Sequence, residues 1–199
     1  MKTGRLEAFS DGVLAIIITI MVLEMKVPEG ISFDALKPIL PVFLTYVLSF
    51  VYLGIYWNNH HHLFQAINDV NGKILWANLN LLFWLSLFPF VTGWMGENHF
   101  KTNPVALYGV ILFMAALAFK VLIYCVIKNE GKDSSLGKVY SRDTRMNVSL
   151  LLYLAGIAFT FFQPMISLAV YLGVALVWIV PDPRIEKTLK QAQNKNKNA

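Results

Sequence analysis

The chain has 199 residues, 56% of them hydrophobic and only 15% charged, with a formal net charge of +5. Soluble domains carry about 25% charged residues, so this balance excludes an ordinary water-soluble globule and points to an integral membrane protein. In that setting the basic excess reads as cytoplasmic lysine and arginine rather than as a nucleic-acid surface. Cys125 is the only cysteine, which excludes an intrachain disulfide and a cysteine-based metal cluster.

Six helices are predicted in an all-α fold. The first runs from Leu6 to Val27 and stops at Pro28 and Gly30. Glu7, Asp11 and the lack of a small-residue cleavage site argue against a signal peptide there. The second runs from Lys37 to Ile67 and closes at "NDVNG"; within it, Ile39 to Tyr56 is 18 residues without a charge, about the length of a membrane span. The third spans Lys73 to Gly96 and the fourth Pro104 to Lys128. A polar loop, "KNEGKDSSLGKVYSRDTR", follows. The fifth helix covers Met146 to Phe162 and the sixth Met165 to Val180, divided by Gln163 and Pro164; the alternative is one kinked helix over the same stretch. Residues 1–181 form the transmembrane domain and 182–199 a polar, basic tail of low complexity. With six spans and both ends in the cytoplasm, lysine and arginine concentrate at the two ends and in the long loop. The opposite loops hold only Lys26, Lys37 and Lys101. Five spans would put the basic tail outside and spoil this positive-inside pattern.

The first helix is unusual. Its charge-free core, Gly12 to Leu23, has only 12 residues, short of the ~20 that cross a bilayer. Glu7 and Asp11 flank one end, Glu24 and Lys26 the other, and ionisable groups in a span usually face a bundle interior or a water path. At ~100° per residue, Ile16, Ile20 and Leu23 form one stripe, with Gly12 on the same side and Thr19 close beside it. Ser10 and Asp11 point away from the stripe, toward neighbouring helices. Taken alone, an aliphatic stripe is more often a packing face than the lining of a hole.

The opening of this helix, "RLEAFSDGVLAI", carries Arg5, Phe9, Ser10 and Asp11 in an R-x-x-x-F-S-D pattern that resembles the transmembrane protein 175 family of potassium channels. "WNNHHHLFQ", with Trp57, His60, Leu63, Phe64 and Gln65, is similar to the family's end of the second helix, and Asn78 followed by Pro89 resembles its third. The fourth to sixth helices match only in length and hydropathy. The resemblance implies a homotetramer of six-helix subunits in the cell membrane, with first helices lining a central pore. Its constriction would be Ile16, with Ile20 and Leu23 as further layers and Thr19 as a hydroxyl favouring potassium. It also implies a polar network of Arg5, Phe9, Ser10 and Asp11 with Trp57, His60 and Asn78, so that Asp11 latches the fold. The permeant ions would be potassium and, beside it, other monovalent cations, and no cofactor is implied. Glu24, at the far end of the stripe, can concentrate cations at the mouth. The carbonyl filter sequence TVGYG does not occur.

Two other functions fit parts of the sequence. His60, His61 and His62 suggest a metal site with Asp11 or Asp69, but adjacent helical residues diverge by ~100° and the usual i, i+4 metal pair is absent. His60 is expected to be a buried hydrogen-bonding partner, with His61 and His62 facing the cytoplasm. A secondary transporter using Asp11 as a proton or cation site is the stronger rival. Its broken half-helices find support only in Pro38 and Pro41, near the start of the second helix.

Overall fold

The computed structural model describes residues 2–67, 69–131, 134–140 and 143–180. The polar tail lies outside them. The described residues fold into helices with no named strand among them: α1 (Thr3–Leu23), a 3-10 segment (Phe33–Ile39), α2 (Leu40–Gln65), α3 (Gly72–Ser86), α4 (Phe88–Glu97), α5 (Thr102–Glu130), α6 (Ser135–Tyr140), α7 (Arg145–Thr160) and α8 (Pro164–Ile179). Four stretches are long and apolar enough to cross a membrane: Thr3–Leu23, Phe33–Gln65, Gly72–Glu97 and Thr102–Glu130. Helices α7 and α8 are apolar but shorter.

Proline explains where the helices depart from expectation. The α-helix expected from Lys37 begins at Leu40, because Pro38 lies within the preceding 3-10 segment and Pro41 occupies the first turn of α2, where a missing N–H costs nothing. The third helix, expected as one piece, is divided at Leu87 into α3 and α4. Pro89 removes a backbone donor and its ring clashes with the carbonyl one turn back. The long polar loop contains the short helix α6, which the polar composition did not reveal. The start of α3 is capped by Asn71, whose side chain accepts from the Ile74 N–H at 3.0 Å. Gly131, at φ +94°, ends α5.

Helix α5 forms the spine of the bundle. Val105, Tyr108, Leu112, Ala115, Leu122 and Val126 are all fully buried and recur at steps of three, four and seven residues, the spacing of one helical face. They pack against α3, α4, α7 and α8. Helix α1 packs across α2, α3 and α4. Glycine sets two close approaches. A Cβ on Gly96 would sit 2.5 Å from the Val42 Cα, so α4 lies directly on α2. Tyr171 of α8 is fully buried between two glycines: a Cβ on Gly156 would come within 2.5 Å of its ring, and one on Gly109 would collide with its hydroxyl.

The segment expected as either two helices or one kinked helix is two helices folded back on each other. Thr160 meets Ser167 (2.9 Å), and Ser167 donates to the Gly156 carbonyl (2.7 Å). Trp178 donates from Nε1 to Ser149 Oγ at 2.9 Å. Each pairing moves back along α7 as it moves forward along α8, the register of an antiparallel hairpin. Gly109→Ala is therefore expected to destabilise the protein by about 1–3 kcal/mol through overpacking. Gly173→Ala, with nothing within 4 Å of its Cβ position, should be neutral or stabilising. Thermal melts of the purified protein in detergent would compare them, and equal melting temperatures would show that Tyr171 can move aside.

Candidate functional site

The surface of α1 divides into two faces. Leu6, Ser10, Leu14, Ile17 and Met21 are buried against the bundle. The opposite face is uncovered among the described residues: Ile16 is 61% exposed, Ile20 39% and Leu23 76%, and Gly12 and Thr19 are exposed beside them. The stripe drawn from helical periodicity is thus the outward face of the protomer. Thr19 donates its hydroxyl hydrogen to the Ala15 carbonyl at 2.8 Å, which turns its oxygen lone pairs away from its own helix.

Two polar groupings tie the first turns of α1 to its neighbours. The inner one is buried. Ser10 Oγ donates to the Leu6 carbonyl (2.9 Å) and accepts from Asn78 Nδ2 (3.0 Å). Asn78 Oδ1 lies 2.8 Å from His60 Nε2. With the Asn78 amide turned to Ser10, its oxygen is an acceptor, so His60 carries its proton on Nε2. The His60 ring rests on Phe64, with centroids 4.5 Å apart. Three helices are joined by this one chain, and each of its members is at most 2% exposed.

The outer grouping lies at the protomer surface. Asp11 Oδ1 accepts from Trp57 Nε1 at 3.0 Å. The Trp57 ring stacks on His61, with centroids 5.9 Å apart and planes 11° apart. His61 Nδ1 lies 3.4 Å from Glu7 Oε1, and its Nε2 lies 2.8 Å from Gln65 Nε2. Sequence reasoning named Asp11 and Trp57 but missed Glu7, His61 and Gln65. The signal was available: Glu7 and Asp11 are four apart on α1, and Trp57, His61 and Gln65 four apart on α2, so each set shares a face. Arg5 and Phe9, expected in the same network, are exposed and make no side-chain hydrogen bond among the described residues. Arg5 lies instead in a surface pocket beside Lys2, Thr3 and Asp69.

The three histidines diverge, His60 toward Asn78 and His61 toward Glu7, with His62 half-buried. Among the described residues no group of three His, Cys, Asp or Glu side chains is placed to hold a metal ion. Glu24, at the other end of α1, is exposed in a groove shared with Pro28, Glu29, Val42 and His99. In the same groove Lys26 pairs with Glu97 at 2.9 Å, and that carboxylate holds the Lys26 amine above the ordinary lysine range. A hydroxyl set absent from the sequence reading, Ser49 with Thr92 (2.7 Å) and Tyr108 (3.0 Å), is buried between α2, α4 and α5.

Truncating Asn78 would leave His60 Nε2 without its acceptor and Ser10 Oγ without its donor, Ser10 keeping only the Leu6 carbonyl. Asn78→Ala is expected to cost about 1–3 kcal/mol. Asp11→Ala removes one bond at the surface and should cost the protomer less. Unfolding titrations in mixed micelles would rank the two, and the reverse order would move the structural weight onto Asp11.

The comparisons with known proteins bear on this arrangement directly. The family model described as endosomal/lysosomal potassium channel TMEM175 matches residues 5–89, the span that contains both polar groupings and the outward stripe. A protein named as a potassium channel from Chryseobacterium sp. (strain P1-3) is 58% identical over 191 residues, covering 96% of this chain and 100% of that protein. Another so named, from Streptomyces collinus, is 36% identical over 129 residues, 61% of this chain and 63% of that protein. Among solved structures, a crystal structure of a lysosomal potassium-selective channel TMEM175 homologue from Chamaesiphon minutus superposes with a TM-score of 0.75 at 29% identity, covering 88% of this chain and 95% of that one. With a relative this similar over nearly its entire length, the chain belongs to the TMEM175 family, a family of ion channels and not of enzymes.

Proposed function

We propose that the protein is a potassium-preferring cation channel whose pore narrows at a ring of aliphatic side chains instead of a carbonyl filter. The observation that carries this reading is the outward face of α1, where Ile16, Ile20 and Leu23 stand exposed and uncovered among the described residues. Four copies arranged with these faces inward enclose a path lined by isoleucine and leucine. The functions named for the bacterial relatives support the same assignment.

Such a pore works through hydration. A tight ring of four Ile16 side chains offers no oxygen to a dehydrated ion, so it dries and blocks. Conduction requires the four α1 helices to separate until a hydrated or partly hydrated ion fits. Thr19 supplies hydroxyl oxygens within one turn of the ring, already oriented by the bond to Ala15, and these favour potassium as the ion sheds water. Glu24 raises the local cation concentration at the mouth. The inner chain of Ser10, Asn78 and His60 holds α1 in rotation, and Asp11 with Trp57 braces it at the surface.

The subunit has six spans in this reading: the four long apolar stretches and the α7–α8 hairpin. Both ends face the cytoplasm of the cell membrane, as the distribution of lysine and arginine favours. Reporter fusions after Ala199 and within the loop between α5 and α7 should both read as cytoplasmic; an external reading at the end of the chain would remove one span.

Purified protein in planar bilayers under a potassium gradient should give resolvable unitary current. Flux that saturates without current would instead favour the carrier reading, with Asp11 as its ion site. Ile16→Asn should raise current several-fold and lower the preference for potassium over sodium, because it places amides in the dry ring. Ile17→Asn should act on folding, since Ile17 is only 4% exposed. Loss of selectivity at Ile17 with none at Ile16 would rotate α1 and overturn the pore as drawn.

A further inference from the structure

Helix α5 is covered for most of its length. From Pro104 to Phe119 it exposes no residue; Lys120, Val121, Tyr124 and Lys128 then emerge on one side. Lys120, Tyr124 and Lys128 are spaced by four and share a helical face. The neighbouring helix α7 presents Val148, Leu151 and Leu152 to the outside, the composition normal for a surface in contact with acyl chains. The exposed end of α5 instead carries two lysines and a tyrosine, followed by Asn129 and Glu130 in its last turn.

Depth makes this arrangement specific. As a 29-residue helix, α5 is ~43 Å long at 1.5 Å per residue, against a hydrocarbon core of about 30 Å. With α5 centred on that core, Lys128 lies at headgroup level, and Lys120, ~15 Å before the C-terminal end, lies about 8 Å inside the hydrocarbon, from where its long side chain reaches toward the boundary. Asn147 of α7 takes one donor of Lys120, at 2.6 Å, and leaves two of the three N–H groups unused. The Lys128 amine sits 5.9 Å above the Tyr124 ring. Neither lysine has a carboxylate partner among the described residues. A cation at this depth needs an anion, and among the described residues no carboxylate lies within ion-pair distance of either lysine, Glu130 accepting instead from Asn129.

We propose that Lys120, Tyr124 and Lys128, with Asn147, form a binding site for the headgroup of an anionic phospholipid in the cytoplasmic leaflet. The phosphate lies between the two amines, and the acyl chains run along Val148, Leu151 and Leu152. This rests on the membrane-spanning reading given above but not on ion conduction. Basic clusters between helices on the cytoplasmic side are the usual solution for holding such headgroups.

Native mass spectrometry of the detergent-purified protein with dioleoyl phosphatidylglycerol or dioleoyl phosphatidylcholine tests the site. Wild type should retain the glycerol lipid in preference, and millimolar inorganic phosphate should not displace it. Lys120→Gln and Lys128→Gln should each weaken that retention about fivefold, the contribution of one basic residue near an anionic surface, with choline-lipid retention unchanged. The charge-preserving pair Lys120→Arg and Lys128→Arg should keep it, which separates charge from misfolding. Equal retention of both lipids by wild type, displacement by free phosphate, or unchanged binding in the glutamine variants would overturn the proposal. Potassium current measured separately reports on the channel reading, so the two can fail independently.

Discussion

The hydrogen-bonded chain from Ser10 through Asn78 to His60 fixes the rotation of α1, and with it everything that helix presents to its surroundings. In a membrane interior no water is available to satisfy a displaced polar group, so three side chains from three helices must satisfy one another. Ser10 and Asn78 are completely buried, and His60 is 2% exposed. Turning α1 by one residue, ~100°, would exchange Ser10 for Phe9 or Asp11 against α3. The same turn would bring Ile17 to the outside in place of Ile16. The identity of the outward aliphatic stripe is thus a consequence of a polar contact one and a half turns away.

The second grouping, Glu7 and Asp11 against Trp57, His61 and Gln65, has a different physical character. Its two carboxylates stand near the surface at the end of the span, where solvent screens them and each bond contributes little. This division explains the short charge-free core of α1. Its neutral polar residue is committed to the bundle, its carboxylates to the boundary, and only the middle is left to be aliphatic. Charge at the boundary tolerates motion of α1, whereas the buried chain does not. A channel that opens by moving α1 therefore has its firm attachment and its permissive one at the same end.

Behind these helices, α5, α7 and α8 act as a buttress. Tyr52 of α2 donates to the Tyr171 carbonyl at 2.6 Å, and Tyr153 reaches the Tyr52 hydroxyl at 3.3 Å. Tyr171 is itself seated between Gly109 and Gly156. Without a hydrophobic drive between helices in lipid, close approach at small residues and interhelical hydrogen bonds carry association. Both are concentrated here. The family model ends at residue 89, so this half of the chain supports the helices before it through packing rather than through the shared motif.

The sequence alone determined the membrane class, the sites of the long apolar stretches and the stripe of Ile16, Ile20 and Leu23, because composition and a 3.6-residue period depend only on local order. It also placed Ser10 and Asp11 off that stripe, and the structure finds both in contact with neighbouring helices. The family resemblance named Trp57, His60 and Asn78 as partners; what the sequence left undecided was that Ser10 meets Asn78 in a buried chain and Asp11 meets Trp57 at the surface. Nothing local distinguishes buried Ser10 from exposed Asp11, and Arg5, grouped with them by motif, makes no such contact among the described residues. The division at Leu87 and the reversal between α7 and α8 followed from proline and from contacts distant in the chain. Only tertiary packing decided that α5 would be covered up to Phe119 and exposed on one side from Lys120 onward. The α5 sequence is apolar on every side up to that point, and burial is a property of what surrounds a helix.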